Sequence, residues 1–168
     1  MEIFDLYNEK RELTGKTHIR GEIIPEGYFH LVVHVWLRCP DGRFLISKRA
    51  ATKPTYPLLW ECVGGSVIAG ENSREGALRE VFEEVGIDLG EREGKVIFTK
   101  TRDVINGVPY RDIMDVWLFD LEEGERFDLS RATTNEVEEC RYMTLDELHE
   151  IYESGTLVPT LEYIFDII

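Results

Sequence analysis

Between Gly65 and Ile87 the chain reads GSVIAGENSREGALREVFEEVGI, and Glu71, Glu80, Glu83 and Glu84 are spaced so that carboxylates can gather around one point. At about 100° of rotation per residue, Glu83 falls about −60° and Glu84 about +40° from Glu80, so the three share one helix face. Leu78, Val81, Phe82 and Val85 lie between roughly 100° and 200°, which gives the helix an apolar side for a core. Arg79, at about −100°, sits beside the acids and four residues before Glu83. Like charges at these spacings cost an isolated helix roughly a few tenths of a kcal/mol per pair, and more where burial lowers the local dielectric. A cation would reverse that sign. All-oxygen ligation suits Mg²⁺, Mn²⁺ or Ca²⁺, whereas Zn²⁺ favours Cys and His. The same acids also fit a solvated outer face, since charge runs on helices commonly face water.

The elements around the acids favour the metal reading. Gly64 and Gly65 follow a strand expected over residues 59–63 and would let the backbone turn with its carbonyls open to a ligand. Asn72 or Ser73 can cap the helix, and Gly86 can end it in a left-handed conformation.

Gly65, five residues, Glu71, seven residues and then Arg79-Glu80-Val81-Phe82-Glu83-Glu84-Val85-Gly86-Ile87 resembles the complete signature of the Nudix hydrolases. At average residue frequencies a chance match is on the order of one in 10⁹ per starting position. The resemblance implies a Mg²⁺-dependent hydrolase, with Mn²⁺ as an alternative ion, that cleaves a diphosphate linkage in a nucleoside diphosphate derivative or a related organic diphosphate. It assigns the metal ligands to Glu80, Glu83, Glu84 and the Gly65 carbonyl. Glu71 becomes a supporting acid and Arg79 the residue that orients the glutamates. The water's proton acceptor is Glu80 within the motif, with Glu136 as a candidate from outside it.

The chain has 168 residues, 19 basic against 33 acidic, and a formal net charge of −14. That length fits one domain. The charge disfavours duplex nucleic acid, which needs a basic patch, but is compatible with a small diphosphate met locally by metal and a few cations. No run of about 18 apolar residues and no amino-terminal signal pattern is present, so a cytoplasmic protein away from membranes is expected. Cys39, Cys62 and Cys140 lack disulfide or zinc-type spacing. His18, His30, His34 and His149 are scattered, although His30 and His34 share strand parity.

Strands are expected over residues 31–38, 43–49, 95–103, 110–121 and 136–143. Pro40-Asp41-Gly42 and Asn106-Gly107 provide hairpin turns, and Lys53-Pro54-Thr55-Tyr56-Pro57 is a proline-stiffened loop. Thr144 with Glu147 forms a capping box for a helix to about Glu153, and Pro159 can open a terminal helix carrying Leu161, Ile164 and Phe165. Few helices and no strand-helix alternation give an α+β class. The resemblance sharpens this to an α/β/α sandwich with a mixed β-sheet, covering roughly residues 31–153. Residues 1–27 form an amino-terminal hairpin or arm, with a further turn near Thr14-Gly15, and residues 28–168 form the hydrolase domain of a single-domain chain. A homodimer contact is one reading of the arm.

For substrate, Arg49, Lys53, Arg102 and Arg111 could hold phosphates. Trp36, Tyr56, Trp60, Tyr110 and Trp117 could stack on a base, Trp36 first among them, although aromatics more often fill cores. Two other functions compete. The segment FHLVVHVWLRCPDGRFLISKRA is similar to the opening strands of isopentenyl-diphosphate isomerases. Their catalytic cysteine follows the loop tryptophan in a cysteine-glycine-histidine sequence, whereas this chain has Trp60-Glu61-Cys62-Val63-Gly64. A catalytically silent nucleotide- or diphosphate-binding domain is the other, and the complete acid set argues against it.

Overall fold

Alternation of apolar residues, turn chemistry and helix caps produce a strand-rich chain, described over residues 1–168 by a computed structural model. In chain order the elements are β1 (Ile3–Tyr7), β2 (Leu13–Ile19), β3 (His30–Arg38), β4 (Phe44–Arg49), β5 (Trp60–Glu61), β6 (Val63–Ser66), α1 (Ser73–Val85), β7 (Lys95–Ile105), β8 (Val108–Asp120), β9 (Val137–Met143) and α2 (Leu145–Glu153), then a 3₁₀ turn (Pro159–Leu161) and α3 (Ile164–Ile167). The terminal helix expected from Pro159 is thus broken into two short pieces.

Seven strands form a mixed sheet in the order β5-β4-β3-β8-β7, with β6 on β3 and β9 on β4. β3 and β8 are parallel, while the other pairings in the sheet are antiparallel. α1 covers one face, where Val33, Val35 and Leu37 of β3 meet Ala77, Val81 and Val85. α2 and the carboxy-terminal segment cover the other, where Trp36, Ile46 and Met114 meet Leu148, Leu161 and Ile164. Each such fully buried large side chain contributes roughly 1.5–3 kcal/mol, so both layers are anchored by burial. The α+β assignment and the α/β/α sandwich are the observed architecture.

One departure from expectation creates the site. β3 and β4 pair only at Leu37↔Leu45 and Arg38↔Phe44 and then part. The strand expected over residues 59–63 breaks at Cys62, and its two pieces fill the opening: β5 pairs with β4, and β6 with β3. Gly64 and Gly65 therefore lie within a strand, opposite His34 and Val33, where they make no open turn. Close approach explains these glycines: a Cβ on Gly64 would lie 2.7 Å from the Val33 carbonyl oxygen, and one on Gly65 would overlap the Glu80 carboxylate.

The amino-terminal hairpin forms a separate two-stranded sheet that docks on its own chain. Tyr7 and Phe29 exchange backbone hydrogen bonds, and Ala69 N–H donates to the Ile3 carbonyl at 2.8 Å. The turn expected near Thr14-Gly15 is a bulge within β2: the register shifts between Asp5↔Thr17 and Tyr7↔Leu13, with Gly15 at φ 78°. No helix is long and apolar enough to cross a membrane.

Candidate active site

Asn72 begins α1: its side chain accepts from Glu75 N–H while the Glu75 carboxylate accepts from Asn72 N–H. Gly86, at φ 73°, ends it. With both ends set, the Glu80 carboxylate lies against Gly65 and Arg79 reaches Ser66, both on β6. Arg79 ties the region together. Its Nε donates to Glu71 Oε1 at 2.7 Å, its Nη1 to Glu80 Oε1 at 2.9 Å and Glu83 Oε2 at 3.1 Å, and its Nη2 to the Ser66 carbonyl at 2.9 Å. Burial disfavours the guanidinium charge, yet these acids hold its pKa above the ordinary value. Glu71 sits behind Arg79 as its counter-ion.

Glu84 departs from the outward acid face that helix geometry suggests, because it is only 4% exposed. Burial, followed by the charges of Glu80, Glu61 and Glu136, pushes its carboxyl well above the usual range. Glu80 is pushed up to about 7, first by burial, against the pull of Arg79, with Glu83 and Glu136 adding to the rise. These are carboxylates taken out of water without enough positive charge. Glu61 on β5 belongs with them: burial raises its pKa, while Arg49 opposes the shift through contacts of 2.8 and 2.9 Å. No motif marks Glu61; its one sequence signal is an acid inside an apolar strand run, LLWECV. Glu136 accepts from Lys53 Nζ at 2.6 Å, and its loop is tied to α1 by Thr133 N–H donating to the Glu83 carbonyl at 2.9 Å.

A cleft of about 690 Å³ opens over this cluster, and Gly65, Glu80, Glu83, Glu61, Glu136, Arg49, Lys53 and Arg102 all line it. Arg102 is fixed by a bidentate pair with Asp112, at 2.8 and 2.7 Å, and lies over the Tyr110 ring. Two expected ligand contacts fall elsewhere. Trp36 has no exposed surface and donates to the Tyr163 hydroxyl at 3.1 Å, so it is a core residue with no face for a substrate. Arg111 turns away from the cleft to the Ile24 carbonyl and Asp103. Trp60 and Trp117 are buried as well, while Tyr56 and Tyr110 reach the cleft. His34 lines its wall; burial pushes its pKa down to about 3, so it is a neutral hydrogen-bonding group joined to Tyr163 at 2.8 Å.

A hard divalent cation fits this donor set. Among Glu61, Glu71, Glu80, Glu83, Glu84 and Glu136 the ion pairs are with Arg49, Lys53 and Arg79, Glu84 has none, and the donors are oxygens. Thiol and imidazole donors suited to zinc are unavailable, since Cys62 is held protonated by burial and His34 is engaged by Tyr163. Glu80, Glu83 and Glu84 are not drawn together at ligating distance, because Arg79 holds one oxygen each of Glu80 and Glu83. Their other oxygens make no side-chain hydrogen bond to Arg79.

A mixed sheet between helices, with under-neutralised carboxylates in a cleft, defines a hydrolase-type α/β/α domain whose acids are suited to phosphate chemistry with a metal. The NUDIX domain model matches residues 28–162, and the chain belongs to the Nudix hydrolase family. It is 38% identical over 162 residues to an uncharacterized Nudix hydrolase of Listeria monocytogenes, covering 95% of this chain and 89% of that one. In fold it is similar to a crystal structure from Deinococcus radiodurans, with a TM-score of 0.70 at 22% identity over 94% of this chain and 92% of that chain. A bifunctional NMN adenylyltransferase/ADP ribose pyrophosphatase of Francisella tularensis, complexed with AMP and a Mn ion, is similar with a TM-score of 0.61 at 21% identity, over 83% of this chain and 40% of that chain. Enzymes of this family generally use divalent metal ions and cleave nucleoside diphosphate derivatives.

Proposed function

We propose that the chain hydrolyses the diphosphate linkage of a nucleoside diphosphate derivative, with Mg²⁺ as its ion and Mn²⁺ as a substitute. Glu80, Glu83, Glu84 and the Gly65 carbonyl would hold the ion, and Arg79 with Glu71 would set the glutamate geometry. When bound, the ion neutralises diphosphate charge and lowers the pKa of an attacking water. Within the signature, Glu80 would be the group that accepts that water's proton. Glu136, paired with Lys53, is the alternative acceptor. Arg49, Lys53 and Arg102 line the cleft and are disposed to bind phosphate oxygens. Positioning and charge compensation would supply most of the acceleration, as is general for phosphoryl transfer. Residues 1–27 would act as an arm on a single hydrolase domain of residues 28–168, in a cytoplasmic protein. Because the arm docks within its own chain, its inner face is not free for a homodimer.

The observation that carries this reading is the buried and under-compensated pair Glu80 and Glu84 beneath a cleft lined with cations. The test is a panel of nucleoside diphosphate derivatives, incubated with Mg²⁺ and with Mn²⁺ in ¹⁸O-labelled water. The expected result is metal-dependent release of a phosphate-bearing product carrying one ¹⁸O. Absence of any product with either ion overturns the proposal. Isotope exchange into isopentenyl diphosphate without cleavage would replace it with the isomerase reading.

A further inference from the structure

Four cationic side chains line the acid cleft: Arg20, Arg49, Lys53 and Arg102. Three of them are locked. Arg49 is held by Glu61, Lys53 by Glu136 and Arg102 by Asp112, and these three cations are only 11–19% exposed, so moving one would strand a desolvated partner. Arg20 differs. Its partner is Glu2, at 2.5 Å, and the two side chains are 58% and 44% exposed. A pair with both ends in water is weak and exchanges partners at little cost. Glu2 lines the cleft as well, so an arriving anion meets an attracting guanidinium and a repelling carboxylate at the same place.

Both residues belong to the amino-terminal arm, outside the stretch that the NUDIX domain model matches. Glu2 precedes β1 and Arg20 follows β2, one step beyond the Ile3↔Ile19 pair, and Arg20 N–H donates to the Glu2 carbonyl at 3.0 Å. The arm beneath them is fixed. Phe4 is buried and stacks on the His30 ring with centroids 4.8 Å apart, Gly70 N–H donates to Asp5 Oδ2 at 2.8 Å, and Arg11 grips Asp115. His30 also locates Arg20: burial lowers its pKa first, and, against Asp112, the charges of Arg102 and Arg20 both add to the fall. The two arginines thus flank one end of the cleft. A diphosphate carries more charge than a carboxylate and offers oxygens that suit the guanidinium fork, so it outcompetes Glu2 for Arg20.

Resting on the hydrolase reading above, we propose that Arg20 is a substrate-binding residue that leaves Glu2 for a phosphate oxygen, with Glu2 as its built-in competitor. The buried cations fix where the diphosphate lies, and the arm tunes how tightly it is held. Arg20 and Glu2 therefore act on affinity with opposite signs.

The probe is methylenediphosphonate, whose P–C–P bridge water does not cleave, titrated by calorimetry into the full chain with Mg²⁺ and with EDTA. Arg20→Gln should weaken binding about tenfold, the loss of one charge-assisted contact, and Arg20→Lys should recover part of it. Glu2→Gln should tighten binding by about two- to fivefold, since the pair it breaks is exposed. That gain should vanish in the Arg20→Gln background, whereas a simple loss of negative charge would persist there. Glu22→Gln, at an exposed acid of the same arm that does not line the cleft, should leave affinity nearly unchanged. On the wild type, the probe should shift the NMR signal of the Arg20 Nε–H, a readout that needs no variant to fold. An unmoved signal, equal affinity in Arg20→Gln and wild type, a Glu2→Gln gain that persists without Arg20, or no binding in either buffer overturns the proposal. Opposite responses of the two variants without hydrolysis of any diphosphate derivative would sink the hydrolase reading and leave the anion contact standing. Metal-dependent hydrolysis with affinity unchanged in both variants would do the reverse.

Discussion

Two buried acidic sites in this chain are treated in opposite ways. Asp115 on β8, 2% exposed, accepts from both guanidinium nitrogens of Arg11 and from the hydroxyls of Ser73 and Thr99, at 2.5–2.9 Å. Burial works to raise its pKa, but those four donors hold it below the ordinary carboxylate value. Glu84 is equally buried, with like charges around it and no side-chain hydrogen bond, and it is pushed up. A satisfied buried carboxylate locks elements together, in this case the amino-terminal arm, α1 and the sheet. An unsatisfied one stores an electrostatic cost that a cation can relieve, and that is the signature of a site kept for chemistry.

The sharpest way to break the contrast is to exchange each acid for its amide. Glu84→Gln should lower metal-dependent turnover by at least about 10²-fold, the range seen for single catalytic groups. The metal-free variant should unfold no more readily than wild type, because a repelled buried charge is gone. Steady-state kinetics and chemical denaturation on one preparation check both halves. Near-normal turnover would remove Glu84 from the machinery.

Asp115→Asn should behave the other way. It turns one acceptor into a donor facing donors and leaves Arg11 without its counter-charge, so unfolding free energy should fall by about 2 kcal/mol. The figure is kept modest because Arg11 is 40% exposed. Turnover should hold at temperatures where the variant is folded. A loss of turnover larger than the loss of stability would mean the two sites are coupled. The smallest effect sharpens the geometry: Gly65→Ala must displace the Glu80 carboxylate, and a shift of that kind should cost about tenfold in turnover. Unchanged kinetics would show that Glu80 can be placed elsewhere.

The legibility of these two sites in the sequence differs for a physical reason. The helix acids, Arg79, both caps of α1 and the Asn106-Gly107 turn rest on local spacing, and the structure reproduces their local framework. The mixed α/β/α architecture follows the family resemblance. Whatever depends on partners distant in sequence stays hidden. The break at Cys62, which sends β5 and β6 to different strands, reflects the parting of β3 from β4. Burial of Glu84 comes from the elements packed over that parting. Asp115, with Arg11 104 residues away, has no local mark at all. Trp36 and Arg111 show the converse: residue type suits a ligand, but the core claims one and a backbone carbonyl and Asp103 claim the other.

The central claim is that the cleft acids are strained by burial until a cation joins them, and its most direct test is the pH dependence of unfolding. With a folded pKa of about 7 against an ordinary 4.5, the folded state keeps a proton on Glu80 that the unfolded state has lost. Its stabilising contribution is therefore full below about pH 4.5 and disappears as pH rises through 7. Comparing wild type with Glu80→Gln cancels groups common to both, including His34. In EDTA, the difference in unfolding free energy should move by about 2.5 kcal/mol in favour of the variant between pH 5 and pH 8. Millimolar Mg²⁺ should shrink that movement. A difference that stays flat across this range, with and without Mg²⁺, would contradict the account.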